Sequence, residues 1–260
     1  MTENTYTLIT GASAGIGKAI AERFASEGHN LVLVARRLPE LTTLAEKLSH
    51  DHGVDAVPLA LDLSDDDASE DLIEALGDRD VETVINNAGV LSSGSFRHMD
   101  RDRIESMIEL NVVSLTDMCR TFSERLVERG GGRIVNVASI AAFQPVPNLA
   151  VYAATKAYVL SLSEALSLEL GRKGVTVTAV CPGFTDTDML RGPVQEAAGK
   201  INIREFTVLE PETVARAAYK ACMRGDAIEV PGIGYSIAMA TTGVLPRWIK
   251  RRLTKLASGT

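Results

Sequence analysis

Short apolar runs rich in β-branched residues alternate along this chain with longer stretches whose apolar positions recur every three or four residues. Segments 6–10, 31–35, 56–61, 83–86, 132–138, 175–181 and 227–230 read as strands. Segments 16–27, 39–50, 66–76, 101–128, 150–172 and 211–223 carry helical spacing. Strand, helix, strand in repetition is the βαβ unit. Its right-handed crossovers lay the strands parallel and put helices on both faces. The expected fold is α/β: one Rossmann-type, doubly wound parallel sheet of about seven strands. No repeat or linker divides the chain, so residues 1–260 read as a single domain.

Composition narrows the picture without changing it. A chain of 260 residues is within reach of a single α/β domain. The formal net charge of -7 argues against general nucleic-acid binding, which needs basic surface to neutralise phosphates. Cys119, Cys181 and Cys222 are far apart and lack CxxC spacing, so they read as reduced core residues. The four histidines form no ligand cluster, and no metal is expected. Neither a basic leader with a long apolar core nor a run of 18 apolar residues is visible, so a cytoplasmic protein is expected.

The first strand runs into Thr10-Gly11-Ala12-Ser13-Ala14-Gly15-Ile16-Gly17, and a helix follows. Glycines there let the backbone turn tightly and approach a pyrophosphate. The helix start offers free N–H groups to it. The second strand ends in Val34-Ala35-Arg36-Arg37. An acid at that place would hold a ribose hydroxyl, whereas guanidiniums suit the 2′-phosphate of NADP(H), with Arg36 ahead of Arg37. Tyr152 and Lys156 are four apart in a helical segment and share a face. An ammonium beside a phenol lowers its pKa, which suits Tyr152 to proton transfer with a developing alkoxide. Ser139, at a strand end thirteen residues upstream, would donate to the substrate oxygen or cap a turn.

These motifs together resemble the short-chain dehydrogenases/reductases. The TGxxxGxG turn, Asn86-Asn87-Ala88-Gly89, Asn111, Ser139, the YxxxK motif from Tyr152 to Lys156, and Pro182-Gly183 occur in the family's order. The resemblance implies that Asp62, with Leu63 beside it, meets the adenine, and that Asn87, Ala88 and Gly89 lie near the adenosine ribose. It implies that Lys156 also binds the nicotinamide ribose, and that Asn111 holds a water linking Lys156 to solvent. Pro182, Gly183, Thr185 and Thr187 would face the nicotinamide. The family usually carries valine or isoleucine where Thr185 stands. The cradle set is then Gly11, Ser13, Ala14, Gly15, Ile16 and Gly17.

The expected activity is a carbonyl reductase or alcohol dehydrogenase using NADP(H). A regulatory protein that senses the cofactor without turnover is the alternative, and the full Asn111, Ser139, Tyr152, Lys156 set argues against it. Substrate contacts are expected from 141–149 and 188–206, where Phe143, Val146, Leu149, Met189, Leu190 and Phe206 promise an apolar pocket. Only Arg191 or Arg204 offers a carboxylate clamp. The substrate is therefore expected to be an uncharged ketone, aldehyde or secondary alcohol. Segment 188–209 reads as a substrate lid or a plain connection. Segment 235–260 is a basic amphipathic extension that would cap the sheet, meet a neighbouring subunit or touch a membrane. The resemblance also implies a homodimer or homotetramer paired through the helices of 101–128 and 150–172.

Overall fold

The computed structural model describes residues 5–191 and 208–232. Seven parallel strands form one sheet in the order β3-β2-β1-β4-β5-β6-β7. They are β1 Thr5–Thr10, β2 Asn30–Ala35, β3 Ala56–Ala60, β4 Asp80–Asn86, β5 Gly132–Val137, β6 Val175–Val180 and β7 Ile228–Glu229. The helices are α1 Gly15–Ser26, α2 Leu38–His52, α3 Ala68–Leu76, α4 Arg101–Ile108, α5 Leu115–Glu128, α6 Ala150–Gly171 and α7 Pro211–Arg224. The expected doubly wound sheet is the observed one, and its strands end within a few residues of the sequence reading.

Both faces of the sheet are covered, which is why its central strands are buried along most of their length rather than at alternate residues. On one face Ile9, Leu31, Leu33 and Val135 meet Phe24 of α1, Leu41 of α2 and Val214 of α7. On the other, Leu8, Val32 and Val84 meet Leu72 of α3 and Phe122 of α5. Beyond them Ile134 and Val177 meet Val159 and Leu160 of α6. Gly130 and Gly131 have φ of 90° and 145°, and they carry the chain from the end of α5 into β5. Among the described residues no helix is long and apolar enough to cross a membrane.

The strand order reverses between β1 and β4. Chain segments leaving these two strands diverge to opposite faces and leave a crevice at their carboxyl ends, where α/β sheets hold ligands. The stretch expected as one helix from 101 to 128 is three pieces. Between α4 and α5 lies a π-helical turn, Glu109–Ser114. Such turns insert a residue into the helical ladder and are frequent at functional sites. This one contains Asn111, which hydrogen-bonds sideways to the loop after β4. Hydrophobic periodicity does not register a single inserted residue.

Candidate active site

A cavity of about 560 Å³ fills the crevice. It is lined by the loops following β1, β2, β3, β4, β5 and β6 and by α6. Every cofactor and catalytic residue named from the sequence borders it except Gly17 and Asn111, which stand behind the wall.

At one end the wall is backbone. Gly11 has φ of 66°, and a Cβ there would lie 2.8 Å from Asn87 Nδ2 and 3.0 Å from Ala88 Cα. A Cβ on Gly17 would run into the Gly11 carbonyl and the same amide. The N-cap of α1 is Ala14, with no side-chain cap, and the first turn holds no acid. Its N–H groups are therefore free for an anion drawn by the helix dipole. Side chains brace the loop from behind. Thr10 Oγ1 accepts from the N–H groups of Asn87 and Ala88, both at 3.0 Å. Asn87 Nδ2 donates to the carbonyl of Thr10 at 2.9 Å. Asn87 borders the cavity, but its amide nitrogen works as a strut between β4 and the glycine turn.

Arg36 and Arg37 follow β2 at the rim, with side chains 70% and 54% exposed. Arg36 lies 3.6 Å from Asp62, and Arg37 donates to Ser13 Oγ at 3.0 Å. Exposed pairs of this kind hold little energy, so both guanidiniums can turn to an incoming phosphate. Asp62 Oδ1 accepts from the N–H of Ser64, closing the turn after β3. The helix α3 begins later, at Ala68, two residues past the expected start. Together, the close-approach glycines, the open helix start and the paired guanidiniums fit the pyrophosphate and 2′-phosphate of NADP(H).

At the other end the wall is side chain. Ser139 leaves β5 and caps a short 3-10 turn, Ile140–Phe143, its Oγ accepting from the N–H of Ala141 at 3.1 Å. That leaves its hydroxyl proton to donate. Tyr152 and Lys156 project from the first turns of α6, with the ammonium 5.8 Å from the centroid of the phenol ring. Lys156 is buried and donates to the carbonyl of Val137 at 2.8 Å. Burial pulls its pKa down to about 8. Burial pushes the Tyr152 phenol up, and the hydrogen bond from Ser139 partly offsets this. The expectation that the ammonium lowers the phenol is thus corrected. The lysine is itself desolvated and spends a donor on Val137, and burial dominates the tyrosine. Asn111 is fully buried, with its side chain taken by Val90 N–H and C=O, both at 2.9 Å, and by Thr155 Oγ1 at 3.2 Å. Both amide N–H groups of Asn111 are therefore taken, and a water here would donate to its main-chain carbonyl or to the spare lone pair of Oδ1.

The substrate end shows what sequence reading missed. Val90, Leu91, Ile140 and Phe184 join the expected Val146, Leu149, Met189 and Leu190. They sit just past strand ends, a position that marks them once the topology is known. Phe143 is not in the wall, because the 3-10 turn carries it toward the core around α6. Arg191 is no clamp either: two hydrogen bonds of 2.8 and 2.6 Å hold it to Asp186. Thr185 bridges to Leu209, and Asp186 N–H donates to the Leu209 carbonyl at 2.9 Å. The last residue of segment 188–209 is therefore tied to the chain just past β6. Phe206, Arg204, most of the expected lid and all of segment 235–260 lie outside the described residues. No group of three or more His, Cys, Asp or Glu among the described residues could hold a metal ion.

Known proteins share this arrangement. The family described as short chain dehydrogenase matches residues 5–198. Sulfoacetaldehyde reductase of Chromohalobacter salexigens is 38% identical over 217 residues, covering 81% of this chain and 85% of that one. The solved short-chain dehydrogenase from Sphingobium yanoikuyae in complex with NADPH superposes with a TM-score of 0.80 and 36% identity, over 92% of this chain and 94% of its own. The bulky-bulky ketone specific alcohol dehydrogenase from Comamonas testosteroni gives a TM-score of 0.78 and 33% identity, over 94% of both chains.

Proposed function

The chain belongs to the short-chain dehydrogenase/reductase family, and from that premise we propose an NADPH-dependent reductase of an uncharged, largely apolar ketone or aldehyde, or the reverse oxidation of the alcohol. The observation that carries the reading is one cavity with two unlike ends. Its backbone cradle and guanidiniums suit a dinucleotide phosphate, and its Ser139–Tyr152–Lys156 end suits a carbonyl. Preference for NADPH rests on Arg36 and Arg37 and is in keeping with the cofactor of the Sphingobium neighbour.

When bound, NADPH supplies the hydride for the carbonyl carbon. Ser139 donates to the carbonyl oxygen and stabilises the charge that develops there. Tyr152 gives its phenolic proton to that oxygen. A phenol held up by burial keeps its proton at neutral pH, so it stands ready as an acid. Lys156 sits behind it, held by Val137, to stabilise the phenolate that remains and to hold the ribose. Asn111 fixes the loop after β4 and, through its main chain in the π turn, would hold the water that returns a proton. A cofactor sensor would have no need of Tyr152 as a proton donor or of Ser139 aimed at a carbonyl.

The apolar wall and the locked Arg191 favour a neutral substrate over an anion such as sulfoacetaldehyde. We also propose a homo-oligomer paired through α4, α5 and α6, whose outer faces carry the exposed Ile108, Tyr158 and Leu168. Purified protein should oxidise NADPH in the presence of a neutral ketone and should lose that rate in Tyr152→Phe. Tight NADPH binding with no turnover across ketones and aldehydes would overturn the reading.

A further inference from the structure

The substrate end carries little that can hydrogen-bond. Ser139 and Tyr152 serve the reacting carbonyl. The wall that continues from them is Val90, Leu91, Ile140, Val146, Leu149 and Phe184. Asp188 and Gln144 interrupt it, and Gln144 is the neutral one. Its side chain is exposed at the mouth, borders the cavity, and has no hydrogen-bond partner among the described residues. Sites built mostly of apolar surface orient their ligands by a few placed polar groups, and this amide is one with nothing assigned to it.

Its position is held from both sides. It directly follows the turn Ile140–Phe143, which rests on α6 and starts at Ser139. Four residues on, Asn148 adopts φ of 63°, a left-handed conformation that asparagine tolerates better than most residues. In that conformation its carbonyl accepts from the N–H of Gly94 at 2.8 Å, tying the segment to the loop after β4. The backbone at Gln144 is thus held relative to Ser139, so a ligand has only the side-chain rotamers of the amide to order.

We propose that Gln144 is a specificity-determining residue, its amide N–H donating to a second, neutral carbonyl of the substrate. The preferred substrate class is then a keto ester, diketone or similar bifunctional ketone rather than a plain ketone. This rests on the carbonyl-reductase reading and refines it.

The test compares two substrates of equal chain length, ethyl butyrylacetate and propyl pentyl ketone. NADPH oxidation is followed with wild type, Gln144→Met and Gln144→Glu. A keto ester is the more electrophilic, so the quantity read is each variant's loss relative to wild type, in which that difference cancels. One net hydrogen bond corresponds to about five- to tenfold in kcat/KM. Gln144→Met should lose about that much with the keto ester and about twofold or less with the plain ketone. Gln144→Glu, an acceptor with no N–H, should fare no better than Met. Equal losses on both substrates, or full activity of Gln144→Glu with the keto ester, would overturn the inference and leave carbonyl reduction intact. If wild type reduces neither compound nor any other carbonyl, the underlying reading fails and this one with it.

Discussion

The two ends of the cavity are built from different materials. The phosphate end is mainly backbone: a glycine turn and the open start of α1, braced from behind by the Asn87 side chain and rimmed by Arg36 and Arg37. The carbonyl end is side chain, carried by β5, the 3-10 turn, α6 and the segments after β4 and β6. Backbone recognition depends on where the chain can go, and so on a few positions where no side chain fits. Side-chain recognition depends on which residues the fold brings face to face. The first kind can hold one cofactor across many substrates, while the second can change with the substrate.

The sharpest way to break that comparison is Tyr152→Phe, which removes the proposed proton donor and leaves the phosphate end alone. The rate of reduction should fall by about a thousandfold, as expected for a lost general acid. NADPH affinity, followed by fluorescence titration, should change by about threefold or less. A comparable loss of NADPH affinity would mean that the two ends are not separable.

Gly17→Ala attacks the other end. Its Cβ meets the Gly11 carbonyl and the Asn87 amide, so the cradle must shift. NADPH affinity should drop by about a hundredfold, because a misplacement of about an ångström is costly at a preorganised site. Retention of affinity would show that the cradle is softer than its contacts imply. Arg36→Ala should have a smaller effect. The ratio of NADPH to NADH efficiency should fall by about tenfold, and less at high salt, because the guanidinium is exposed. An unchanged ratio would move the 2′-phosphate contact to Arg37.

Lys156→Met should separate function from stability. Reduction should fail, yet the cofactor-free protein should be more stable at neutral pH. A pKa pulled from its model-compound value of 10.5 to about 8 is a cost of about 3 kcal/mol for the charged form. Loss of the bond to Val137 returns about 1 kcal/mol of that, leaving a net gain of about 2 kcal/mol. The sign follows from the depressed pKa. The wild-type penalty is complete below about pH 8 and fades as pH climbs toward 10.5, where the lysine is neutral in both states. The variant's lead in denaturant midpoint should therefore shrink over that range and reverse at its upper end, where only the missing bond to Val137 remains. Divergence, or a less stable variant at pH 7, would show that Lys156 is not held at a cost.

Much of this was legible in advance. Seven apolar runs and their intervening helices pointed to a doubly wound parallel sheet, whose strand order only the structure supplied, and the glycine turn, the arginines and the Tyr–Lys pair lay at strand ends or on one helical face. The misses have physical causes. The π turn around Asn111 changes local hydrogen bonding without disturbing apolar periodicity. Phe143 was placed in the pocket by hydrophobicity alone, but the turn begun at Ser139 points it to the core. Arg191 looked free because its partner Asp186 is five residues away in a segment with no regular period.

The amino-acid sequence by itself determined the sheet, its helical layers and the residues able to do the chemistry. Those depend on local pattern and on residue type, which are written along the chain. Only the tertiary structure decided how the groups are spent: Asn87 on the glycine turn, Asn111 on Val90, Lys156 on Val137, and Gln144 on no described partner. Hydrogen bonding is short in range and directional, so which donors remain for a ligand depends on distances between segments far apart in sequence.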